Sequence, residues 1–332
     1  MKILYSLFLV IWFARPPKFE VLTYSNGSVH ARSIQDFSKN ELLLGTNEGK
    51  FVLMSKNAKK PVSMYLPSTR HTIKEIRDAD KNAHYLFFMQ SNDESHVLRE
   101  KWNGKEDSLL NFSHHDKSVF LDGIDLQDSL GFLIGDPVDG DFALFRTLNY
   151  GESWEACPGR VKSQTNEAAY AASGTTNHII DGDFIFVSGG ERSRFIWSSD
   201  LGLTWKSYSI PFESCPTCGA YSMGYKNRQS LVVVGGDYKR PNETKKNCFY
   251  STDGGLIWNE AQVPPNGYRS CVYFAKGIYY ACGTTGIDYS KDGGNIWTPI
   301  STENALSMVA DTKYLYISCM GGKILKMKLF KK

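Results

Sequence analysis

Seven short apolar, β-rich runs recur along this chain, and each ends abruptly in small or polar residues: "ELLLGTNEG", "HYLFFMQSND", "LGFLIGDPVDG", "FIFVSGGERS", "LVVVGGDYKR", "IYYACGTTG" and "LYISCMGGK". Their break points at 45, 90, 135, 189, 235, 283 and 321 are separated by 45, 45, 54, 46, 48 and 38 residues. A period of about 45 residues is the size of one four-stranded propeller blade. Runs that are apolar throughout suit strands covered on both faces. Helical periodicity is nearly absent; "STRHTIKEIRDADKN" alone tempts, and it falls where blade two should begin.

Each unit reads as a first strand ("AAYAASG", "GAYSMGY", "SCVYFA"), the apolar second strand, a third, a hairpin and a fourth. The seventh unit ends after three strands, while "KFEVLTY" (18–24) lies ahead of blade one and is free to supply the fourth. Pairing the chain ends in this way would cover a sheet edge. The expectation is an all-β, seven-bladed β-propeller over 18–332, closed by the N-terminal strand.

The third-to-fourth hairpin has its own spelling. "WSSDLGLTWK" (197–206), "YSTDGGLIWN" (250–259) and "YSKDGGNIWT" (289–298) share Ser-x-Asp-x-Gly-x-x-Trp, and "RTLNYGESWE" (146–155) is a weaker copy. Asp200, Asp253 and Asp292 have side chains that mimic an extra turn by accepting from backbone amides. Trp205, Trp258 and Trp297 supply large apolar areas to bury. Asn149 stands where the others have Asp, so the geometry does not need a carboxylate, which argues for a structural role and against catalysis.

These hairpins resemble the Asp-box, or BNR, repeats of sialidases and other propellers. The stretches "LIGDPVDGDFALFRTLNYGESW", "NEAAYAASGT", "VSGGERSRF", "VVVGGDYKRP" and "GYRSCV" resemble a narrower group, exported propellers described as similar to the photosystem II stability/assembly factor and sometimes labelled only "oxidoreductase". The resemblance runs over roughly 116–325 and implies a seven-bladed propeller that binds a partner. Nothing in the sequence points to photosynthesis.

Chemistry of other classes finds little support. A net charge of +3 with no basic stripe gives no case for nucleic acid. An oxidoreductase would need a dinucleotide fingerprint after a strand, and none is present. A sialidase announces its first arginine in Phe-Arg-Ile-Pro; "FARPP" (13–17) has the wrong order. No catalytic residue, cofactor or metal is expected; the alternative function is a glycan-binding or glycan-cleaving, sialidase-like propeller. "MKILYSLFLVIWFA" has an apolar run of about 12 residues suited to a signal-peptide core. Residues 1–17 are therefore read as a signal peptide, with an uncleaved anchor as the alternative because Trp12 fits a cleavage site poorly. Export to the periplasm or outside the cell follows, with no membrane span in the mature chain and a monomeric state. Seven cysteines leave at least one unpaired. Cys215-Pro216-Thr217-Cys218 suggests a local disulfide or loop thiols, since no second CxxC or His pair completes a zinc site.

Loops that join strands two and three, and those between blades, belong to the face opposite the hairpins, around the channel mouth. They carry Asp136, Glu167, Arg192, Arg194, Asp237, Lys239, Arg240, Tyr268 and Arg269. These nine residues are the candidate binding set, a polar mouth for a protein segment or a glycan. In the sharpest version Arg194, Arg240 and Arg269 together grip acidic groups, with Asp237 holding a neighbouring guanidinium in place. The alternative is that the charges solvate loops and pair among themselves.

Overall fold

The computed structural model describes residues 17–25, 27–57, 63–65, 73–91, 94–101, 109–114 and 119–330. Seven four-stranded antiparallel sheets follow one another, six with their strands in sequence order and the last completed by the N-terminal strand. The innermost strands, in blade order, are Ala31–Asp36, Asp78–Lys81, Leu121–Gln127, Asn177–Ile180, Ala220–Asn227, Cys271–Ala275 and Ala305–Ala310. The apolar runs are the second strands, and their residues are almost wholly buried between blades. Phe132 of blade three, for instance, stacks on Phe184 of blade four at 4.9 Å.

Phe19–Thr23 completes blade seven. It pairs antiparallel with Lys323–Lys328, Leu22 lying opposite Ile324. Leu22 and Ile324 share one buried cluster with Ile34 and Leu44 of blade one, so this strand also seals the last blade to the first. The leader expected over 1–17 lies, apart from Pro17, outside the described residues. Among those residues no helix is long and apolar enough to cross a membrane.

Two sets of contacts, one polar and one apolar, tie neighbouring blades together. Around the channel, side chains of one innermost strand bond the backbone of the next. The Ala79 amide donates to Ser33 Oγ at 3.0 Å, Ile124 to Asp78 Oδ2 at 3.1 Å and Val272 to Ser222 Oγ at 2.8 Å. His178 Nε2 donates to the Met223 carbonyl at 2.6 Å, and Ser318 Oγ, on the second strand of blade seven, closes the ring on the Ala31 carbonyl at 2.7 Å. Such groups would be costly to bury without these partners.

At the rim, the hairpins form the second set. In each, a hydroxyl donates to the third residue and accepts from the glycine amide. Ser251 Oγ lies 2.7 Å from Asp253 Oδ1, and Gly255 N lies 2.9 Å from Ser251 Oγ. Asp200 and Asp292 repeat this with Ser198 and Ser290, and Asn149 does so with Thr147. Thr204 and neighbouring donors hold the Asp200 carboxyl down at about 2. The glycine and tryptophan press on the preceding blade. Gly255 has φ +89°, and a Cβ there would meet the Phe195 ring at 2.6 Å. Trp258 packs on that same ring at 5.7 Å, and Trp205 on Phe132 at 5.7 Å. Trp297 is buried with Val232 and Val234 of blade five.

One first strand differs from expectation. "AAYAASG" is not the inner strand of blade four, which starts later, at Asn177. Residues 170–176 instead cross the channel. Ser173 Oγ donates to the Ser270 carbonyl of blade six at 2.7 Å, and Ser307 Oγ of blade seven donates to the Ser173 carbonyl at 2.9 Å. Thr175 Oγ1 meets Ser222 Oγ of blade five at 2.6 Å. Gly174 (φ +71°) passes so close to blade two that a Cβ would lie 2.3 Å from Asp78 Oδ1. The long 54-residue step between the third and fourth runs accommodates this plug.

Candidate functional site

The plug divides the channel into two cavities. Ala168–Ala172 line one of about 500 Å³, and Ser173–Thr175 line the other, of about 410 Å³. The larger cavity opens among the starts of the first strands and the ends of the second strands with the loops that follow them, which contribute Asp136, Tyr238, Thr284 and Met320. It is the mouth, and it has a floor.

Four first strands carry a bulge at this end, between Ala31 and Ser33, Leu121 and Gly123, Ala220 and Ser222, and Ala305 and Ser307. The extra residue in each, Arg32, Asp122, Tyr221 or Leu306, lines the mouth. A bulge breaks strict alternation and re-aims one side chain. Here it turns residues into the channel that a regular strand would direct between blades.

One wall is aromatic. Tyr170 and Tyr221 stack face to face with centroids 3.9 Å apart and planes 2° from parallel. Tyr268 and Tyr238 meet Tyr221 edge-on at 4.9 and 6.5 Å. Tyr238 is exposed, and burial pushes the Tyr170 hydroxyl up to about 12. Across the opening stand Arg32 and Arg77, both paired with Glu75 at 3.5 and 3.0 Å, and the Arg77 guanidinium lies over the Phe120 ring at 5.7 Å. Burial lowers the Arg77 pKa against the opposing pull of Glu75.

Two carboxyls sit between these walls. Burial raises Asp136 to about 6, although the Ala169 amide donates to it at 3.0 Å. Asp122 is raised well above the usual range by burial and then by the charge of Asp136. Its Oδ2 is buried and has no hydrogen-bond partner among the described residues.

Of the nine residues expected at the mouth, only Asp136 and Tyr268 line this cavity. Arg194 is turned inward: its Nε and Nη2 each donate to the Glu167 carboxylate at 2.7 Å, and Nη2 also reaches the Lys162 carbonyl at 2.7 Å. Glu167 is in turn held by the Ser188 hydroxyl and the Gln164 amide. Arg269 is 1% exposed and pairs with Asp288 at 2.5 Å. Its remaining donors go to Thr285 Oγ1 and the carbonyls of Tyr268 and Asn266. The expected grip of three arginines on a partner's acidic groups is therefore overturned for these two, because nearby carboxylates draw their guanidinium groups inside the blades.

Asp237 does hold Arg240, whose Nε lies 2.8 Å from its Oδ2. Burial opposes the Asp237 charge, but Arg240 and Thr217 outweigh it and keep the carboxyl below its usual range. Arg240 also reaches Glu213 at 3.3 Å and stays half-exposed. Lys239 and Arg192 are exposed on their loops. The residues missed by sequence reasoning, Arg32, Arg77 and Asp122, did carry a signal, since they repeat at steps of 45.

Cys215 and Cys218 form a disulfide; Cys271 lies opposite Cys282 in register, and both are buried thiols. The two disulfide sulfurs and Asp237 form a group with metal-ligand proximity. The sulfurs are bonded to each other and the carboxylate is engaged by Arg240, so this arrangement does not fit a metal.

No family model matches the chain. A xyloglucanase from Paenibacillus sp is 25% identical over 204 residues, a match that covers 50% of this chain and 20% of that protein. The match thus spans about a fifth of the length of that curated relative. Among solved structures, YCF48 bound to D1 peptide superposes with a TM-score of 0.66 at 11% identity, over 94% of this chain and 97% of its own. YCF48 from Cyanidioschyzon merolae gives 0.65 at 12% identity, over 93% and 98%. A catalytically inactive virginiamycin B lyase from Staphylococcus aureus with quinupristin gives 0.67 at 13%, over 94% and 99%. Binding proteins and enzymes both stand among these neighbours, and what the chain shares with them is the seven-bladed β-propeller.

Proposed function

We propose that this chain is a non-catalytic, exported binding propeller of the Asp-box type, with an assembly-factor-like role: it takes up a segment of another protein at the plugged mouth. The observation that carries this reading is a closed cup with a stacked tyrosine wall facing two arginines. An apolar or aromatic side chain of the segment packs on the exposed Tyr238, which the Tyr170–Tyr221 stack backs, and its carboxylate or carbonyl groups meet Arg32 and Arg77. The floor at 170–176 stops the segment in the cup and prevents it from threading through. The solved complex of YCF48 with D1 peptide supports the use of such a fold for peptide binding. The apolar leader sequence and the disulfide support export, which a mass measurement of the mature N-terminus tests.

The test is selection of a displayed peptide library on the immobilised protein, followed by titration of the selected peptide. Tyr221→Ala and Arg77→Ala should each weaken binding by tenfold or more, about 1.4 kcal/mol, in protein shown by its melting curve to be folded. Unchanged affinity in both variants overturns the reading.

A glycan is the second reading, favoured by the xyloglucanase likeness and by two carboxyls with raised pKa beside a tyrosine platform. A raised carboxyl is what a general acid for glycoside cleavage requires. Calorimetry with xyloglucan oligosaccharides, and product analysis after incubation, separates the two. Saturable sugar binding without peptide selection favours the glycan.

A further inference from the structure

The connector into blade five closes a four-residue ring, Cys215–Cys218, against the outer end of the tyrosine wall. Three carbonyls of this ring are acceptors for that wall. The Tyr221 hydroxyl donates to the Thr217 carbonyl at 2.9 Å, and the Tyr170 hydroxyl lies 3.3 Å from the carbonyls of both Pro216 and Cys218. The Gly190 amide also donates to Cys218 O, at 2.7 Å. Tyr170 in turn begins the plug, since Thr176 Oγ1 donates to its carbonyl at 2.5 Å. The stacked pair and the floor of the cup are therefore anchored on a disulfide-closed loop.

The two sulfurs differ. Cys215 is partly exposed beside an exposed Pro216, whereas Cys218 is buried. Arg240 Nη2 lies 3.7 Å from Cys218 Sγ, while Asp237 Oδ2 lies 3.9 Å from Cys215 Sγ. A cation therefore stands at the covered sulfur and a carboxylate at the accessible one. Thiolate character is favoured by a neighbouring guanidinium, and a better leaving thiolate departs faster.

We propose that Cys215–Cys218 is a redox-modification site for an external dithiol, and that its reduction in the folded protein loosens the tyrosine wall of the mouth. One thiolate of the dithiol attacks Cys215 Sγ. The Cys215–Cys218 bond breaks, and its electron pair leaves on Cys218 Sγ beside Arg240. The second thiol of the reductant loses its proton and attacks the reductant's sulfur in the mixed disulfide, which releases Cys215 as a thiolate. The dithiol ends as a cyclic disulfide, oxidised by two electrons, and the two cysteines end reduced, taking up protons from solvent. Opening the ring frees the carbonyls of residues 216–218 to move apart from Tyr170 and Tyr221. The functional meaning of this device rests on the reading of that wall as the binding surface.

The experiment treats the folded full chain with dithiothreitol below its melting temperature. It follows alkylation by mass and hydrogen exchange by peptide segment. The expected result is modification confined to Cys215 and Cys218, an unchanged cooperative melting transition, and faster exchange over 168–172 and 217–222. Arg240→Gln should slow reduction on the order of threefold, and Cys215→Ser/Cys218→Ser should show the fast exchange without reductant. Reduction only on global unfolding, unchanged exchange in the two segments, or a wild-type rate in Arg240→Gln overturns the proposal. These readouts need no bound ligand. A protein that selects no peptide defeats the binding reading alone, and one that binds its peptide equally in both redox states defeats the switch alone.

Discussion

At the residue scale, the decisive contrast is between arginines on one face that look alike in the sequence. Arg269 is fully enclosed with Asp288, whereas Arg240 is half-exposed beside Asp237. Removing one member of a buried, hydrogen-bonded pair strands the other, at a cost of about 3–5 kcal/mol. A half-exposed pair contributes about 0–1 kcal/mol. Arg269→Ala should therefore lower the urea midpoint drastically and Arg240→Ala only slightly; equal midpoints would show the buried pair to be dispensable. Buried acids make a second prediction. Burial raises Asp78 to about 7 and Asp136 to about 6, both above the unfolded value of 3.8. The folded state thus holds these protons more tightly than the unfolded chain does. Their stabilising contribution is full below the unfolded pKa and is lost as pH rises through about 7. The melting temperature should fall between pH 5 and pH 8, and a rise over that window would refute the assignment.

At the element scale, the hairpins and the plug perform opposite tasks. Each hairpin turns on itself through a hydroxyl and a carboxylate or amide, and so presents glycine and tryptophan to the blade before it. Asp253→Ala should cost about 1 kcal/mol, by analogy with loss of a helix cap, while the affinity of the mouth stays unchanged. Loss of binding in a folded Asp253→Ala protein would move the site to the hairpin face. The plug is an irregular segment whose polar groups are satisfied by blades five, six and seven. Gly174→Ala places a Cβ against Asp78 in a left-handed conformation, which costs on the order of 1–3 kcal/mol and should show as a lower urea midpoint and faster hydrogen exchange over 170–176. An unchanged midpoint and unchanged exchange would mean that the plug is not held as described.

At the scale of the whole molecule, stability depends on the ring closing. Phe19–Thr23 covers the edge of Lys323–Lys328 and joins the cluster shared by blades seven and one. Deleting 18–24 should lower the melting temperature by several degrees and promote association through the bared edge, whereas deleting 1–14 should leave melting unchanged. Equal melting of the two truncations would sink this closure. Ring closure also brings the mouth together, since its residues come from all seven blades and meet only when each is in place.

Blade number, closing strand and hairpin chemistry were legible in the sequence because each rests on local periodicity: apolar runs near every 45 residues, and hydroxyl, carboxylate and glycine at set offsets. Even the plug left a trace in the 54-residue step, although nothing in "AAYAASG" distinguishes a crossing segment from a strand. The composition of the mouth was decided by tertiary structure. A bulge at Arg32, Asp122 and Tyr221 reverses which side chain faces the channel, and its place depends on register with the partner strand. Whether a loop arginine is free depends on a carboxylate brought within 3 Å from elsewhere, as Glu167 is to Arg194 across 27 residues and Asp288 to Arg269 across 19. Sequence spacing sets which side chains a strand carries; only the closed ring sets which of them meet a partner and which meet one another.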